Sequence, residues 1–235
     1  MNISKYTLLL AAGVALCGVA QAATIAKWTF ETSLPSLTDS STIGSISAEV
    51  GTGTASGFHA SSLTDWSNPV GNNSVESFSV NTWAQNDYFQ FTASTVGFSN
   101  ITFSFDQTRS GTGPSAFKVA YSTDGTSFTD LPNGSYTVVN ALTFSDSTTG
   151  TSWSSTKLAT NTSYSFSLSA ISVVNNASNV YVRLIHTATG VNASGTSRVD
   201  NVEIAGTAIP EPSTFAAILG GVALLGVAAR RRRSA

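Results

Sequence analysis

The sequence predicts an all-β protein, an antiparallel β-sandwich of the jelly-roll kind. No stretch between residues 23 and 208 sustains a helical period, whereas several runs alternate between apolar and hydroxyl side chains. These runs end in Gly, Asn, Asp or Pro, the residues of turns. The chain is 41% hydrophobic and 10% charged, and Ser and Thr fill 68 of its 235 positions. That composition suits strands with one wet face, and it carries too much apolar surface for a disordered chain.

The strands follow in order. "IAKWTFE" sets Ala26, Trp28 and Phe30 on one face, and "YFQFTA" does the same with Phe89 and Phe91. "NITFSFDQT" places Ile101, Phe103 and Phe105 opposite Thr102, Ser104 and Asp106. "SAFKVAYSTDG" aligns Phe117, Val119 and Tyr121, turns at Asp124-Gly125 and returns through Phe128. "SYSFSLSAI" sets Tyr164, Phe166 and Leu168 against serines. "NVYVRLIHTA" aligns Val180, Val182 and Leu184, with Tyr181, Arg183 and Ile185 opposite, and "RVDNVEIAG" ends the body with Val202 and Ile204. About ten such strands make one sandwich domain. Residues 44–82 read as a long loop holding at most a short strand or two.

Both ends differ from this body. Lys5, the apolar stretch Thr7–Ala20 and Ala20-Gln21-Ala22 have the layout of a signal peptide, residues 1–22, with cleavage before Ala23; the alternative is an uncleaved anchor. The single cysteine, Cys17, lies inside it, preceded by Leu16 where a lipoprotein signal needs a small residue. The mature chain therefore has no disulfide, thiolate metal site or cysteine nucleophile. At the other end, Phe215–Ala229 is an uncharged run of 15 residues, marginal for a bilayer core of about 30 Å. Extended to Ser213, it predicts a short hydrophobic helix over 213–229. Arg230, Arg231, Arg232 and Arg233 form a stop signal that stays cytoplasmic by the positive-inside rule and leaves the body outside.

Pro210-Glu211-Pro212, then Ser-Thr, the short apolar run and the arginines closely resemble the PEP-CTERM sorting signal of Gram-negative bacteria. The resemblance covers residues 209–235 and makes Pro210, Glu211 and Pro212 the recognition motif. It implies an inner-membrane-anchored precursor, processed by signal peptidase and by an exosortase, whose body (23–208) passes to the cell surface or an exopolysaccharide matrix. The two prolines suit this role physically, because they fix an extended, hydrogen-bond-poor segment that an enzyme can grip as a strand. "FDQTRSGTGPSAFKVAYSTDGTSF" and "RVDNVEIAG" resemble, more loosely, exported jelly-roll bodies of this kind and carbohydrate-binding sandwich modules, whose first and last strands lie side by side. Such modules often carry a structural Ca2+ between acids on those strands, which here implies Glu31 and Asp200. The alternative for Asp200 is a surface ion pair with Arg198 or Arg183.

Between Ala23 and Ile209 six basic residues stand against twelve acidic ones, which excludes a nucleic-acid partner that binds through clustered Lys and Arg. A serine hydrolase needs a histidine poised on a hydroxyl. Only His59 and His186 exist; His59 reads as a loop residue, and His186 shares the parity of core strand positions. A glycosidase needs two carboxylates across one bond, and no recognisable pair stands out; Asp87, Asp106, Asp124 and Asp130 read as strand-end and turn residues. Sugar binding would use exposed aromatics: Trp66 and Trp83 lie in or beside the loop-rich segment, with Arg109 beside a turn, while Trp28 and Trp153 read as core. The sequence thus points to an exported, non-enzymatic surface or matrix protein. The alternatives are a module that binds exopolysaccharide and a secreted glycan-active hydrolase.

Overall fold

The computed structural model describes residues 21–188 and 194–210. Its compact unit runs Ala22–Ala208. The strands are β1 (Ala22–Trp28), β2 (Thr42–Ser47), β3 (Val50–Gly51), β4 (Gly53–Phe58), β5 (Trp66–Ser67), β6 (Phe78–Val80), β7 (Tyr88–Ala93), β8 (Phe98–Arg109), β9 (Ala116–Ser122), β10 (Thr129–Thr137), β11 (Leu142–Thr143), β12 (Thr149–Gly150), β13 (Ser163–Ser167), β14 (Val180–His186) and β15 (Ser197–Ala208).

Thirteen of them form two antiparallel sheets, as the alternation requires, and β11 and β12 pair with each other in a separate two-stranded sheet. One has seven strands along the path β13-β8-β15-β1-β3, with β6 joined to β15 and β5 to β6; the other has six, ordered β10-β9-β14-β7-β4-β2. The first and last strands pair along their length, from Ala22 opposite Thr207 to Trp28 opposite Val202.

The apolar parity of each strand faces the space between the sheets. Trp28, Phe103 and Ile204 come from one sheet, Phe89, Phe91, Val119, Val182 and Leu184 from the other, all buried. Aromatic rings lock the layers: Trp28 meets Phe91 edge-on at 5.3 Å, and Phe91 meets Phe103 at 5.7 Å. Such contacts add about 0.5–1.5 kcal/mol each beyond the buried area. A smaller cluster of Leu142, Phe144, Trp153 and Ala159 packs under the excursion between β10 and β13.

One expectation fails. Residues 44–82 hold all or part of five strands, and β4 is an interior strand of the six-stranded sheet, between β2 and β7. Its inward residues are only Ala55 and Gly57, too small to register as an apolar period, and the reason lies in their partners. A Cβ on Gly57 would stand 2.3 Å from the Trp66 ring. The tryptophan fills the volume that a β4 side chain would otherwise occupy.

The expected helix over 213–229 lies outside the described residues; among the described residues no helix is long and apolar enough to cross a membrane.

Candidate functional site

On the outer face of the seven-stranded sheet, a β-bulge in β15 changes what the alternation places there. Between Asp200 and Glu203 the strand holds one residue more than β8 opposite it, with Asn201 at φ 49°. Val199 and Val202 therefore both enter the core, and Asp200 and Asn201 both face outward. Asp200 lies directly across from Asp106. Asp200 is fully buried and Asp106 is 7% exposed, because the loops around Asn72 and Thr162 fold over them.

Asn72 knits this cover down. Its backbone N–H donates to Asp200 Oδ2 (2.8 Å), its Nδ2 to Asp106 Oδ2 (3.0 Å) and to the Ala159 carbonyl (3.1 Å), and its Oδ1 accepts the Ala159 N–H. Asn201 bridges the same acids, N–H to Asp200 Oδ1 and Nδ2 to Asp106 Oδ2. Ser163 donates to Asp106 Oδ1. Gly71 permits the close approach, since a Cβ there would meet Glu76 O, Ser74 Oγ and Asp200 Oδ2, all within 2.4 Å.

No cation pairs with either acid among the described residues. Burial, with a smaller push from the Asp106 charge, raises Asp200 to about 7. The hydrogen bonds from Ser74, Asn72 and Asn201 act the other way and favour the carboxylate, so burial outweighs them. Ser74 Oγ is 2.6 Å from Asp200 Oδ2 and 3.2 Å from the Glu76 carbonyl, and its one proton serves only one of them. The shorter contact takes it, so Ser74 donates to Asp200 Oδ2.

The sequence showed no carboxylate pair, and Asp106, which it suggested as a strand-end residue, is half of one. Two unequal carboxylates are what a glycoside hydrolase needs. Here only Asp106 borders an open hollow, with Ser104, Ser163, Ser165 and Asn201, while Asp200 is walled off from any substrate. The pair fastens two loops to a sheet; it does not span a bond to be broken.

The expected site residues scatter. Trp66 and Trp83, expected to offer faces to sugar, are 1% and 0% exposed and enclose the His59 ring at 5.0 and 4.3 Å. The correction follows from Gly57 and Phe89, which open and line the space the two indoles fill. Arg109 spends its fork on the Val138, Ser110, Gly111 and Gly113 carbonyls and on Asn140 Oδ1. It clamps loops. Asp200 is neither at the surface nor paired with Arg198 or Arg183. Glu31 accepts the Glu76 N–H, so Glu31 and Asp200 hold two points of the same loop. No group of three or more His, Cys, Asp or Glu gathers for a metal among the described residues.

Both histidines are buried. His59 Nδ1 faces Thr82 O at 3.1 Å with Asp87 3.4 Å away, and His186 Nδ1 faces Ala116 O at 3.0 Å. Neither Nε2 has a partner among the described residues, so neither imidazole is poised on a hydroxyl. Burial lowers both pKa values, His59 to about 4. A Ser-His-Asp relay is absent from the described residues.

The outer face of the six-stranded sheet carries what the sequence did not single out. Arg183 lies flat between the rings of Tyr88 (3.8 Å) and Phe128 (3.5 Å), and its Nε donates to Gln90 Oε1 (2.8 Å). Phe58 stacks near Tyr88 at 5.7 Å. The parity of β14 put Tyr181, Arg183 and Ile185 on this face, but the rings around Arg183 come from β7 and from the turn before β10.

At the C-terminal end, β15 stops at Ala208 and Pro210 is exposed two residues later. Residues 208–233 match the family model of the PEP-CTERM protein-sorting motif. The chain carries a PEP-CTERM sorting motif. The motif thus begins where the last ladder pair, Ala208 with Phe98, ends. Glu211, Pro212 and the arginines 230–233 lie outside the described residues, as does Ala20, while Ala22 and Ala23 are exposed at the start of β1. No curated protein matches the chain.

Among solved structures, the chain is similar to the CBM22-1 xylan-binding domain of Paenibacillus barcinonensis Xyn10C (12% identity, 80% of this chain, 97% of that one, TM-score 0.41). It is similar also to the K1 cleaved adhesin domain of Lys-gingipain from Porphyromonas gingivalis W83 (14%, 78% and 97%, TM-score 0.40). Against the CBM22-1–CBM22-2 tandem of the same Xyn10C, the identity is 13%, the TM-score 0.42, and the PEP-CTERM chain covers 48% of that structure. At these identities and scores the likeness assigns no ligand.

Proposed function

We propose that this PEP-CTERM protein is an exported, non-catalytic surface or matrix protein, anchored in the inner membrane of a Gram-negative cell as a precursor and released by an exosortase. The observation that carries the reading is the position of the sorting motif. It follows the last residue of β15 directly, so a finished sandwich, with β1 and β15 already paired, stands next to the segment to be cut. The enclosed Asp200 and the two buried imidazoles, whose Nε2 atoms have no partner among the described residues, support a non-catalytic body. Fractionation of cells expressing the full chain tests the sorting. Glu211→Ala should hold the precursor in the membrane fraction while wild type reaches the surface; equal release of both would refute the role of the motif.

A second reading concerns the body's partner. The flat, hydroxyl-bearing outer face of the six-stranded sheet, with a fixed guanidinium at its centre, supports binding of a polysaccharide in the exopolysaccharide matrix. A glycan array probed with the exported protein tests it, and silence across the array would remove the reading.

A further inference from the structure

We propose that Arg183 is a carboxylate-binding site for an acidic, uronate-containing polysaccharide on the outer face of the six-stranded sheet. The proposal rests on the glycan-binding reading and names its ligand class. Arg183 lies on β14, between β7 and β9, in a cross-strand row running Ser56, Gln90, Arg183, Ala120, Asp130. Two rings and the Gln90 amide fix the guanidinium on three sides. An arginine held this way has lost its rotamer freedom before any ligand arrives, which lowers the cost of binding.

Its terminal nitrogens make no hydrogen bond among the described residues, and none of the three ion pairs found there involves it. Lys118, on the adjacent β9, and Asp130, two strands across on β10, are paired with each other at 2.8 Å. Asp124, in the adjacent turn, is occupied by Ser122 and by the Thr126 and Ser127 N–H groups. A half-buried cation therefore lacks a counter-charge, and its burial disfavours the charged form. The paired Nη atoms form a planar fork that matches a carboxylate with two parallel hydrogen bonds.

At the guanidinium itself, the same stack favours acidic over neutral sugars. A neutral pyranose binds sandwiches by lying on an aromatic face. One face of Phe128 and one of Tyr88 are taken by the guanidinium, and Phe58 stacks with Tyr88 as well. The edge of the fork stays open, and the same face carries the hydroxyl residues Ser56, Thr92 and Tyr181 on its own and neighbouring rows, which suit the ring hydroxyls beside a uronate.

The test uses the full chain in non-ionic detergent, with polygalacturonate, its fully methyl-esterified form and poly-glutamate as probes in affinity electrophoresis. Polygalacturonate should bind at least about tenfold more tightly than the ester, which keeps the sugar and removes the charge. Added salt should weaken it. Arg183→Lys, which keeps the charge without the fork, and Gln90→Leu, which frees the guanidinium, should each erase most of that preference, with folding checked by tryptophan fluorescence. Equal binding of acid and ester would overturn the carboxylate site and leave glycan binding standing. Poly-glutamate binding as tightly as polygalacturonate would assign the fork to acidic peptides instead. A preference unchanged in Arg183→Lys would refute the placement, and a folded protein that binds no probe would overturn both the site and the glycan reading.

Discussion

Asp200 should make the body more stable in mild acid, and Asp200→Asn should abolish that contribution. Its pKa rises from an ordinary 3.8 in the unfolded chain to about 7 in the fold. A carboxyl raised in this way binds its proton more tightly when folded. Its stabilisation is complete below about pH 4 and is lost as pH climbs through 7. At about 1.4 kcal/mol per pH unit, the part lost between pH 5 and pH 8 is about 2–3 kcal/mol. His59 opposes it. Buried neutral with a pKa lowered to about 4, it withholds a proton that the unfolded chain accepts, so it destabilises by about 2 kcal/mol at pH 5 and hardly at pH 8. These two contributions nearly cancel over this range, while the lowered His186 and the raised Asp87 act in wild type and variant alike. The variant, freed of the Asp200 carboxyl, should gain about 2–3 kcal/mol relative to wild type from pH 5 to pH 8. The amide introduced by Asp200→Asn also leaves one of the Asn72 and Asn201 N–H groups facing an NH2, a cost of about 1–3 kcal/mol at both pH values that cancels in the comparison. The assay is urea unfolding of residues 23–208 at the two pH values, in chelator, followed by tryptophan fluorescence. If the pH dependence of wild type and variant differs by less than about 0.5 kcal/mol, Asp200 is ionised in the fold and burial does not raise its pKa.

Residues 23–208 made without the tail should give a β-type circular dichroism spectrum and one cooperative transition. Phe103→Ala, which empties a fully buried site between Phe91 and Phe105, should cost about 3–5 kcal/mol in the same urea assay. Gly57→Ala should destabilise by about 1–3 kcal/mol through its clash with Trp66; a neutral result would mean that the indole does not fill β4's face. His59→Gln should remove about 2 kcal/mol of the acid sensitivity between pH 8 and pH 5, read as a shift in the urea midpoint at the lower pH. Calcium at Glu31 and Asp200 is tested by melts in millimolar calcium against chelator. Occupancy at a hundredfold excess over Kd would add about 2.7 kcal/mol, roughly 5–11 °C, and an unshifted melt removes the metal.

The sandwich was legible where a strand carries its own signal. In β8 and β14, large apolar residues alternate with polar ones, and the faces read from Phe103 and Val182 are the faces found. It was illegible where a strand's packing partner lies elsewhere. β4 looks like a loop because its inward Gly57 is small, and it is small because of Trp66, which in turn looked exposed for lack of any local apolar company. The same holds for the two sites. Asp106 and Asp200 stand far apart in the chain, brought face to face by strand pairing and shifted in register by a bulge that no residue pattern announces. Arg183 read as a polar-face strand residue, and its two rings reach it from β7 and from the turn after β9. The tail was legible in full as sequence, since its recognition depends on the order of three short segments and not on folding.

The measurement that bears most directly on the account is the intact mass of the protein recovered from the surface of an exosortase-competent host. Export and sorting as described should yield one species that begins at Ala23 and ends near Pro210-Glu211-Pro212, without the apolar run and without Arg230–Arg233. A surface species that still carries the arginine tail would contradict it.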